Sequence, residues 1–280
     1  MSADFQSLEI LVDNAAAEGL AAEHGFSVLL RVGGKTFLMD SGQHNALEKN
    51  AAALGIDLTK LDGFILSHGH YDHTGAADFV LQENPEVQVY AHPKIFSERY
   101  SIYPERGPKE ISMPSEQRLV VANLPDSQLH WISGPTEIAP GVWLTGPIPR
   151  FHTLEDTGGF LFQDADGVQP DPVEDDMAMW IETPDGLWVI CGCCHSGLVN
   201  TLTYIGEVSR YRPIRGILGG FHLKHASDER LAATVDTLQA YGPDRMVPCH
   251  CTGESAVTYF KNHLQTEIET SYAGFVVKGN

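Results

Sequence analysis

The chain has 280 residues, of which 42% are hydrophobic and 20% charged, a balance typical of a globular protein with a buried core. Its 37 acidic and 18 basic residues give a net charge of −19, and no Lys/Arg cluster could neutralise a row of phosphates, so we expect no nucleic-acid partner. We expect no signal peptide and no membrane span, because no apolar stretch approaches about 18 residues. The five cysteines fall in two short clusters, at 191–194 and 249–251, which favours a reduced, cytoplasmic setting.

In chain order, the first third predicts short strands at residues 8–12, 26–30 and 36–39. Gly33 and Gly34 have the composition of a tight turn, so we expect the second and third strands to be antiparallel neighbours. A helical apolar spacing over residues 45–54 stops at Gly55, and a short buried strand at 63–66 follows. This strand leads into a histidine-rich run, which therefore lies on a strand-to-helix loop.

The middle, residues 102–174, is rich in Pro, Gly and Asp and predicts a loop-rich insertion, with short strands at 129–132, 142–144 and 159–162. The last third of the chain alternates strands and helices again. It predicts helices from residue 198, over residues 228–241 and from residue 254, and strands at 177–181, 187–190, 216–218 and 246–247. No repeat is visible. We predict an α/β fold over residues 1–280 as a single domain, with two sheets face to face and helices outside.

The histidine-rich run at residues 67–73 reads Ser-His-Gly-His-Tyr-Asp-His. His68, His70, Asp72 and His73 are of the types that hold zinc, manganese or iron. Residues i and i+2 of an extended backbone point the same way, so His68 and His70 can share one metal while Asp72 and His73 turn towards a second. Three imidazoles and a carboxylate buried without a cation would leave polar groups unpaired, so we favour a metal site over a solvated polar loop.

The run resembles the His-x-His-x-Asp-His signature of the metallo-β-lactamase superfamily. Phe-Leu-Met-Asp-Ser-Gly at 37–42 resembles the strand and turn before that signature, and Val-Tyr-Ala-His-Pro at 89–93 resembles the strand after it. Three further segments resemble the branch of dihydropterin-ribofuranosyl-aminobenzene-phosphate synthases and dihydropteroate-synthase-like proteins: Gly-Cys-Cys-His-Ser-Gly at 192–197, Gly-Gly-Phe-His-Leu at 219–223 and Pro-Cys-His-Cys-Thr-Gly at 248–253. The resemblance implies an αββα sandwich of two mixed β-sheets with helices on both outer faces.

The resemblance also implies a dinuclear metal site, with His195 and His250 as the downstream ligands. The expected cofactors are two divalent ions, with zinc as the first choice and manganese or iron as alternatives. Cys193 is either a thiolate ligand or a small buried residue, and the sequence does not decide. For Asp40 we favour a carboxylate that orients a ligating imidazole over a turn-forming residue. For His222 we favour a substrate-facing or proton-transfer role over packing.

Arg150 and His152 stand in the loop-rich middle, where a cation could meet an anionic substrate group, although solvated side chains of these types are common there. The remaining histidines belong to no ligand motif and are expected to be structural or exposed; they are His24, His44, His92, His130, His225 and His263. Four cysteines lack the Cys-x-x-Cys spacing of a structural zinc site and are expected to be packing residues: Cys191, Cys194, Cys249 and Cys251.

Two metal ions about 3.5–4 Å apart would lower the pKa of a bound water to near 7, so we expect a metallohydrolase with Asp72 and His222 as catalytic side chains. The branch resemblance favours a phosphorylated or pterin-like small molecule as substrate. An iron-dependent redox enzyme on the same fold and a pterin-related synthase are alternatives. A metal-binding protein without turnover is disfavoured by the complete ligand run. The oligomeric state stays open.

Overall fold

The structure is a computed structural model that describes residues 2–279. Over this range the strands are β1 (Phe5–Val12), β2 (Ser27–Val32), β3 (Lys35–Met39), β4 (Gly63–Ile65), β5 (Gln88–Ala91), β6 (Tyr100–Tyr103), β7 (Gly107–Glu110), β8 (Leu129–Trp131), β9 (Thr136–Ala139), β10 (Val142–Leu144), β11 (Leu161–Phe162), β12 (Ala178–Thr183), β13 (Gly186–Cys191), β14 (Ile214–Gly220), β15 (Arg245–Cys249), β16 (Glu267–Ile268) and β17 (Val276–Lys278). The helices are α1 (Ala46–Leu54), α2 (Tyr71–Thr74), α3 (Ala77–Glu83), α4 (Ser115–Ala122), α5 (Leu198–Val208), α6 (Asp228–Tyr241) and α7 (Glu254–His263).

The first large sheet lies in a compact unit formed mainly by Asp4–Ile132 and Phe160–Asp175. Its strand order is β17-β1-β2-β3-β4-β5-β8. The pairings from β17 to β3 are antiparallel, and those from β3 to β8 are parallel. Because β3, β4 and β5 run in the same direction, the loops that follow them leave from one edge of this sheet.

The β2–β3 hairpin has the two-residue turn that the sequence predicts. Val32 pairs with Lys35 across the turn, and Gly33 and Gly34 have φ angles of 57° and 75°. A type I′ turn requires positive φ at both central positions, and glycine adopts this conformation without steric cost. The predicted antiparallel pairing of the two strands is confirmed.

Helices α1, α3 and α4 contribute to the core of this unit. Leu47 of α1, Val80 of α3 and Val121 of α4 are buried in one apolar cluster with strand residues Phe64 and Val89. Fully burying side chains of this size stabilises the folded state by about 1.5–3 kcal/mol each relative to leaving them exposed. The cluster therefore gives this unit a core that does not depend on the histidine-rich run.

The second large sheet lies in a unit formed mainly by Ser133–Gly159 and Asp176–Thr270. Its strand order is β16-β15-β14-β13-β12-β10-β9, with antiparallel pairings from β9 to β13 and parallel pairings from β13 to β16. Both large sheets thus join three antiparallel pairings to three parallel ones. A buried cluster connects the second sheet with helices α5, α6 and α7; it includes Trp180, Leu202, Leu238 and Phe260.

Helix α6 has the bounds that the sequence predicts, Asp228–Tyr241. At its start, the Ser227 side chain accepts a hydrogen bond from the backbone N–H of Arg230. At its end, Gly242 adopts the left-handed conformation with φ of 57° and donates its N–H to a carbonyl of the last turn. Both are local end signals of a helix, which is why the sequence alone located this element.

The middle of the chain contains more regular structure than its composition predicts. Elements β7, α4 and β9 lie within the region that favours loops, and β11, β6 and β7 form a small three-stranded sheet. Helix α4 buries only Gln117 and Val121, so its apolar periodicity is too weak to stand out in the sequence. The single domain with an insertion at 102–174 stays a prediction.

Two large mixed sheets accompanied by helices confirm the predicted α/β class. The longest helix between residues 2 and 279 is α6, with 14 residues. A bilayer crossing needs about 20 mostly apolar residues. None of the helices in this described range has the length and apolarity to span a membrane.

Candidate functional site

The histidine-rich run follows β4 and enters the short helix α2. His68 and His73 are fully buried, while His70 and Asp72 are 5% and 7% exposed. Nε2 of His68 lies 2.9 Å from Nδ1 of His70, and the ring centroids of His68 and His73 are 4.2 Å apart. The structure therefore brings three of the predicted ligand imidazoles together, with Asp72 on the same helix as His73.

Asp40 links two of these histidines through hydrogen bonds. It follows β3, is fully buried and has a φ of 62°. Its carboxylate lies 2.6 Å from Nδ1 of His73 and accepts hydrogen bonds from the backbone N–H and the hydroxyl of Ser67, at 2.8 and 2.6 Å. Oγ of Ser67 lies 2.9 Å from Nδ1 of His68. Since Ser67 donates its proton to Asp40, the network favours the tautomers of His68 and His73 that present the Nε2 lone pair.

Asp72 lies beside a histidine that the sequence assigns to the structural or exposed class. Oδ2 of Asp72 is 3.1 Å from Nε2 of His24, whose side chain is more than half exposed. His24 stands outside every motif and more than forty residues before Asp72, so local spacing gives no signal for it. We add His24 to the candidate residues of this unit.

A buried ion-pair network anchors the loop of the histidine-rich run. The Asp175 carboxylate accepts hydrogen bonds from the backbone N–H of Gly69 at 2.8 Å and from Arg99 at 3.0 Å. Arg99 also pairs with Asp171 at 2.9 Å, and all three charged side chains are at most 3% exposed. Burial lowers the pKa of Arg99, but Asp175 and Asp171 raise it above its ordinary value, so the guanidinium stays charged.

In the other unit, the turn between β13 and α5 carries His195. Nδ1 of His195 donates to the carbonyl oxygen of Thr157 at 2.7 Å, which selects the tautomer with the lone pair on Nε2. Arg150 donates to the carbonyl oxygen of His195 at 2.7 Å, and the backbone N–H of Ser196 donates to Asp176 at 2.8 Å. Arg150, which the sequence suggests for an anionic substrate, thus also holds the backbone of this turn.

His152 lies on a loop that is fastened to the first turn of α5. The backbone N–H groups of Phe151 and His152 donate to Oδ1 of Asn200 at 2.8 and 2.9 Å. The Glu155 carboxylate accepts from the backbone N–H groups of Val199 and Asn200 at 2.9 and 2.7 Å. Burial raises the pKa of Glu155, and these two hydrogen bonds only partly oppose the shift. The contacts fix the loop at a helix N-terminus, where a carboxylate is favoured.

His222 follows β14 and lies beside His195. The centroids of the two rings are 4.3 Å apart, and His222 has a φ of 46°. A Cβ on Gly158 would lie 2.0 Å from Cδ2 of His222, so the loop backbone packs directly on this imidazole. Cys193, His195 and His222 each place a potential ligand atom within 4.8 Å of the others. This geometry suits both a ligand role and a proton-transfer role for His222.

His250 follows β15 and is adjacent to a cysteine that the sequence assigns to packing. Potential ligand atoms of Cys193, His250 and Cys251 lie within 4.8 Å of one another. The backbone N–H of His222 donates to Sγ of Cys251 at 3.3 Å, and the Cys251 thiol lies 3.7 Å from the carbonyl oxygen of Cys193. Burial raises the pKa of the Cys251 thiol, but Cys193, His222 and His250 outweigh burial and lower that pKa well below its ordinary value.

The candidate residues of each unit follow the carboxyl ends of parallel strands. In the first unit Asp40 follows β3 and His68 follows β4, and in the second His195, His222 and His250 follow β13, β14 and β15. Open sheets with parallel strands collect their binding residues at this edge. The topology of each unit therefore gathers side chains that are distant in the sequence.

Comparisons with known proteins agree on one family. Residues 21–250 match the metallo-beta-lactamase superfamily. A 7,8-dihydropterin-6-methyl-4-(beta-D-ribofuranosyl)-aminobenzene-5'-phosphate synthase of Methanocaldococcus jannaschii is 28% identical over 269 residues, which cover 92% of this chain and 90% of that protein. An uncharacterized protein of the same organism is 33% identical over 253 residues, which cover 90% of this chain and 92% of that protein.

A solved structure agrees with these sequence matches. The crystal structure of a metal-dependent hydrolase of the beta-lactamase superfamily superposes with a TM-score of 0.83 and 30% identity. The match covers 98% of this chain and 99% of that one. The superfamily predicted from the histidine-rich run is confirmed, and the chain belongs to the metallo-β-lactamase superfamily.

Proposed function

We propose that this chain is a metallohydrolase that uses two divalent metal ions, with zinc as the first choice. The main observation behind the proposal is that Nε2 of His68 and Nδ1 of His70 are both buried and lie 2.9 Å apart. Two imidazole nitrogens this close in a buried loop form a ready pair of metal ligands. The proposed ligands are His68, His70, Asp72, His73, His195 and His250.

The donor set fits a divalent ion in type and in orientation. Imidazole nitrogens and a carboxylate are ordinary ligands of zinc, manganese and iron. Hydrogen bonds donated by Nδ1 of His68, His73 and His195 favour the tautomer that presents the Nε2 lone pair to a metal ion. Partners of this kind, a carboxylate, a hydroxyl and a backbone carbonyl, are the usual support of metal-bound histidines.

Two divalent ions held by these residues would lower the pKa of a water molecule to near 7 and stabilise negative charge on the attacked centre. We assign His222 to proton transfer, because its ring lies 4.3 Å from that of His195, centroid to centroid, and packs against the Gly158 backbone. Asp72, which lies next to His24, is assigned as a ligand that also orients the attacking group.

The proposed substrate is a phosphorylated or pterin-like small molecule. The 28% identical relative is named for a compound that contains both a dihydropterin and a 5'-phosphate, and this supports the choice. A chain with a net charge of −19 repels anions at long range, so the local field at the site must come from bound cations and nearby basic groups. Arg150 and His152 are the basic side chains that we propose for this purpose.

A pterin-related synthase is the second candidate. The relative that covers 92% of this chain is named as a synthase, which favours this reading. A synthase would use the same side chains to stabilise a leaving group, with a second substrate in place of water. The two candidates therefore differ in the attacking group and not in the ligands.

The test begins with metal analysis of the purified chain, followed by reconstitution with zinc, manganese or iron(II) under anaerobic conditions. Phosphate esters with aryl and pterin groups are then offered in ¹⁸O-labelled water. A hydrolase incorporates ¹⁸O into one product. A synthase yields a coupled product without label when the second substrate is supplied. A chain that binds no divalent metal would contradict the proposal.

A further inference from the structure

The five cysteines have two kinds of surroundings. Cys191 and Cys194 belong to the apolar cluster of the second unit, and Cys249 is buried in β15. These three are packing residues, as the sequence predicts. Cys193 and Cys251 differ, because neither belongs to that apolar cluster and their Sγ atoms lie near His250 on the turns that follow β13 and β15.

The two turns meet over the end of β14, the strand that lies between β13 and β15. A Cβ on Gly220, the last residue of β14, would lie 2.6 Å from Sγ of Cys251 and 3.4 Å from Cα of Cys193. Any side chain at residue 220 would enter the space beside the two cysteines. Glycine at this position therefore leaves room for the Cys251 thiol and for the carbonyl oxygen of Gly192, from which a Cβ would also be 2.6 Å.

Cys193, His250 and Cys251 form a compact set of potential ligand atoms, all within 4.8 Å of one another. In a tetrahedral site with zinc–sulfur bonds of about 2.3 Å and zinc–nitrogen bonds of about 2.0–2.1 Å, neighbouring ligand atoms are roughly 3.4–3.8 Å apart. Small side-chain adjustments would bring the three atoms to this spacing. The backbone N–H of His222 donates to Sγ of Cys251 at 3.3 Å, which holds this sulfur on the side of β14 where Cys193 and His250 lie.

We infer that Cys193 and Cys251 are thiolate ligands that, together with His250, hold a soft divalent ion such as zinc or iron(II). Thiolates select zinc and iron over manganese and magnesium, which prefer oxygen ligands. The inference rests on the proposed function only because His250 is among its ligands. It extends that function by adding two sulfur ligands, which determine the metals that the site accepts.

Cobalt(II) is the probe for this ligand set. A thiolate bound to cobalt(II) gives a strong near-ultraviolet charge-transfer band, whereas nitrogen and oxygen ligands give only the weaker visible bands. The metal-free chain is titrated with cobalt(II) under anaerobic conditions with a phosphine reductant. We expect the charge-transfer band in the wild type, a weaker band in Cys193→Ser and in Cys251→Ser, and none in the double variant.

Cys194→Ser and Cys249→Ser are the matched controls, because each removes a buried thiol outside the ligand set and should leave the band unchanged. Thermal melts identify variants that fail to fold, and Cys251→Ala provides a second variant at the same position. Competition titrations should show zinc affinity lower in Cys251→Ser by at least the roughly 10–100-fold that the loss of a ligand's hydrogen-bond partner causes, with manganese affinity unchanged.

Each outcome of the cobalt titration either supports or overturns the inference. Visible cobalt bands without the charge-transfer band would overturn the inference and leave the proposed function intact. A band that persists in the folded double variant would overturn it as well. A chain that binds no cobalt would overturn both the inference and the proposed function.

Discussion

Oδ2 of Asp40 lies 2.6 Å from Nδ1 of His73, and neither side chain is exposed to solvent. The same carboxylate accepts the hydroxyl proton of Ser67, whose oxygen lies next to His68. One buried carboxylate thus orients two imidazoles of the histidine-rich run. A carboxylate in this position also increases the basicity of the nitrogen on the far side of the ring.

Asp40→Asn removes the charge and preserves the backbone, since asparagine tolerates the left-handed conformation that Asp40 adopts. We expect metal affinity to fall about 10–100-fold with little change in the fold. Competition with a chelator measures the affinity. Asp62→Asn is the control, because that carboxylate bonds to Thr36 and Lys35 outside the site. Equal metal affinity in Asp40→Asn and the wild type would show that Asp40 does not support the ligands.

His68→Ala and His70→Ala should each remove one metal equivalent and abolish activity while the fold survives. The apolar cluster of this unit includes neither histidine, so its packing is retained. Elemental analysis gives the metal content, and circular dichroism reports the fold. His130→Ala is the control, because His130 bonds to Gln88 and stacks on Tyr90. Unchanged metal content in both site variants would refute the ligand assignment.

Arg99→Met should destabilise the protein by about 3–5 kcal/mol, because it leaves the buried carboxylates of Asp171 and Asp175 without their cation. Urea unfolding measures the free energy. Asp175→Asn should cost less, since an amide oxygen can still accept from Gly69 and Arg99 keeps Asp171. A loss below about 1 kcal/mol for Arg99→Met would mean that the network behaves like an exposed salt bridge.

Gly158→Ala should lower kcat by about 100-fold, because the new methyl group must displace the His222 ring and misplacements of this size have such effects. Gly167→Ala is a matched control. Both glycines have positive φ, 85° and 72°, but a Cβ at Gly167 would lie 3.2 Å from the end of Ile102 and 3.9 Å from the Phe162 ring, so it would displace neither side chain far. Melting temperatures report the backbone strain that both alanine variants share. Steady-state kinetics, on the substrate identified in the labelling assay, report the displacement of the His222 ring. Similar kcat values in the two variants would contradict a role for His222.

The sequence predicts elements whose signals are local. The Gly33-Gly34 hairpin has its turn residues in place, and α6 has a serine before it and a glycine after it. Helix α4 shows no such signal, because only Gln117 and Val121 are buried and tertiary contacts hold it in place. Local chemistry therefore marks the ends of elements, while the weakly patterned middle depends on contacts that are distant in sequence.

The same distinction applies to the site. The histidine-rich run is contiguous, so its spacing alone predicts a cluster of ligands. Thr157 contributes a backbone carbonyl to His195, and a backbone atom has no residue signature. Asp175 bonds to Gly69 across more than a hundred residues, and Cys251 needs the fold to bring it near Cys193. These partners become visible only when the folded chain brings segments that are distant in sequence side by side.

Three candidate residues, Asp40, His222 and His250, adopt positive φ angles that L-amino acids avoid. A left-handed residue costs roughly 1–2 kcal/mol relative to the right-handed conformation, and glycine escapes most of this cost. A mutant library sorted for heat resistance alone should therefore accumulate glycine or asparagine at these positions and lose turnover as it does so. Engineering this protein for durability should hold the three positions constant and seek stabilising changes elsewhere.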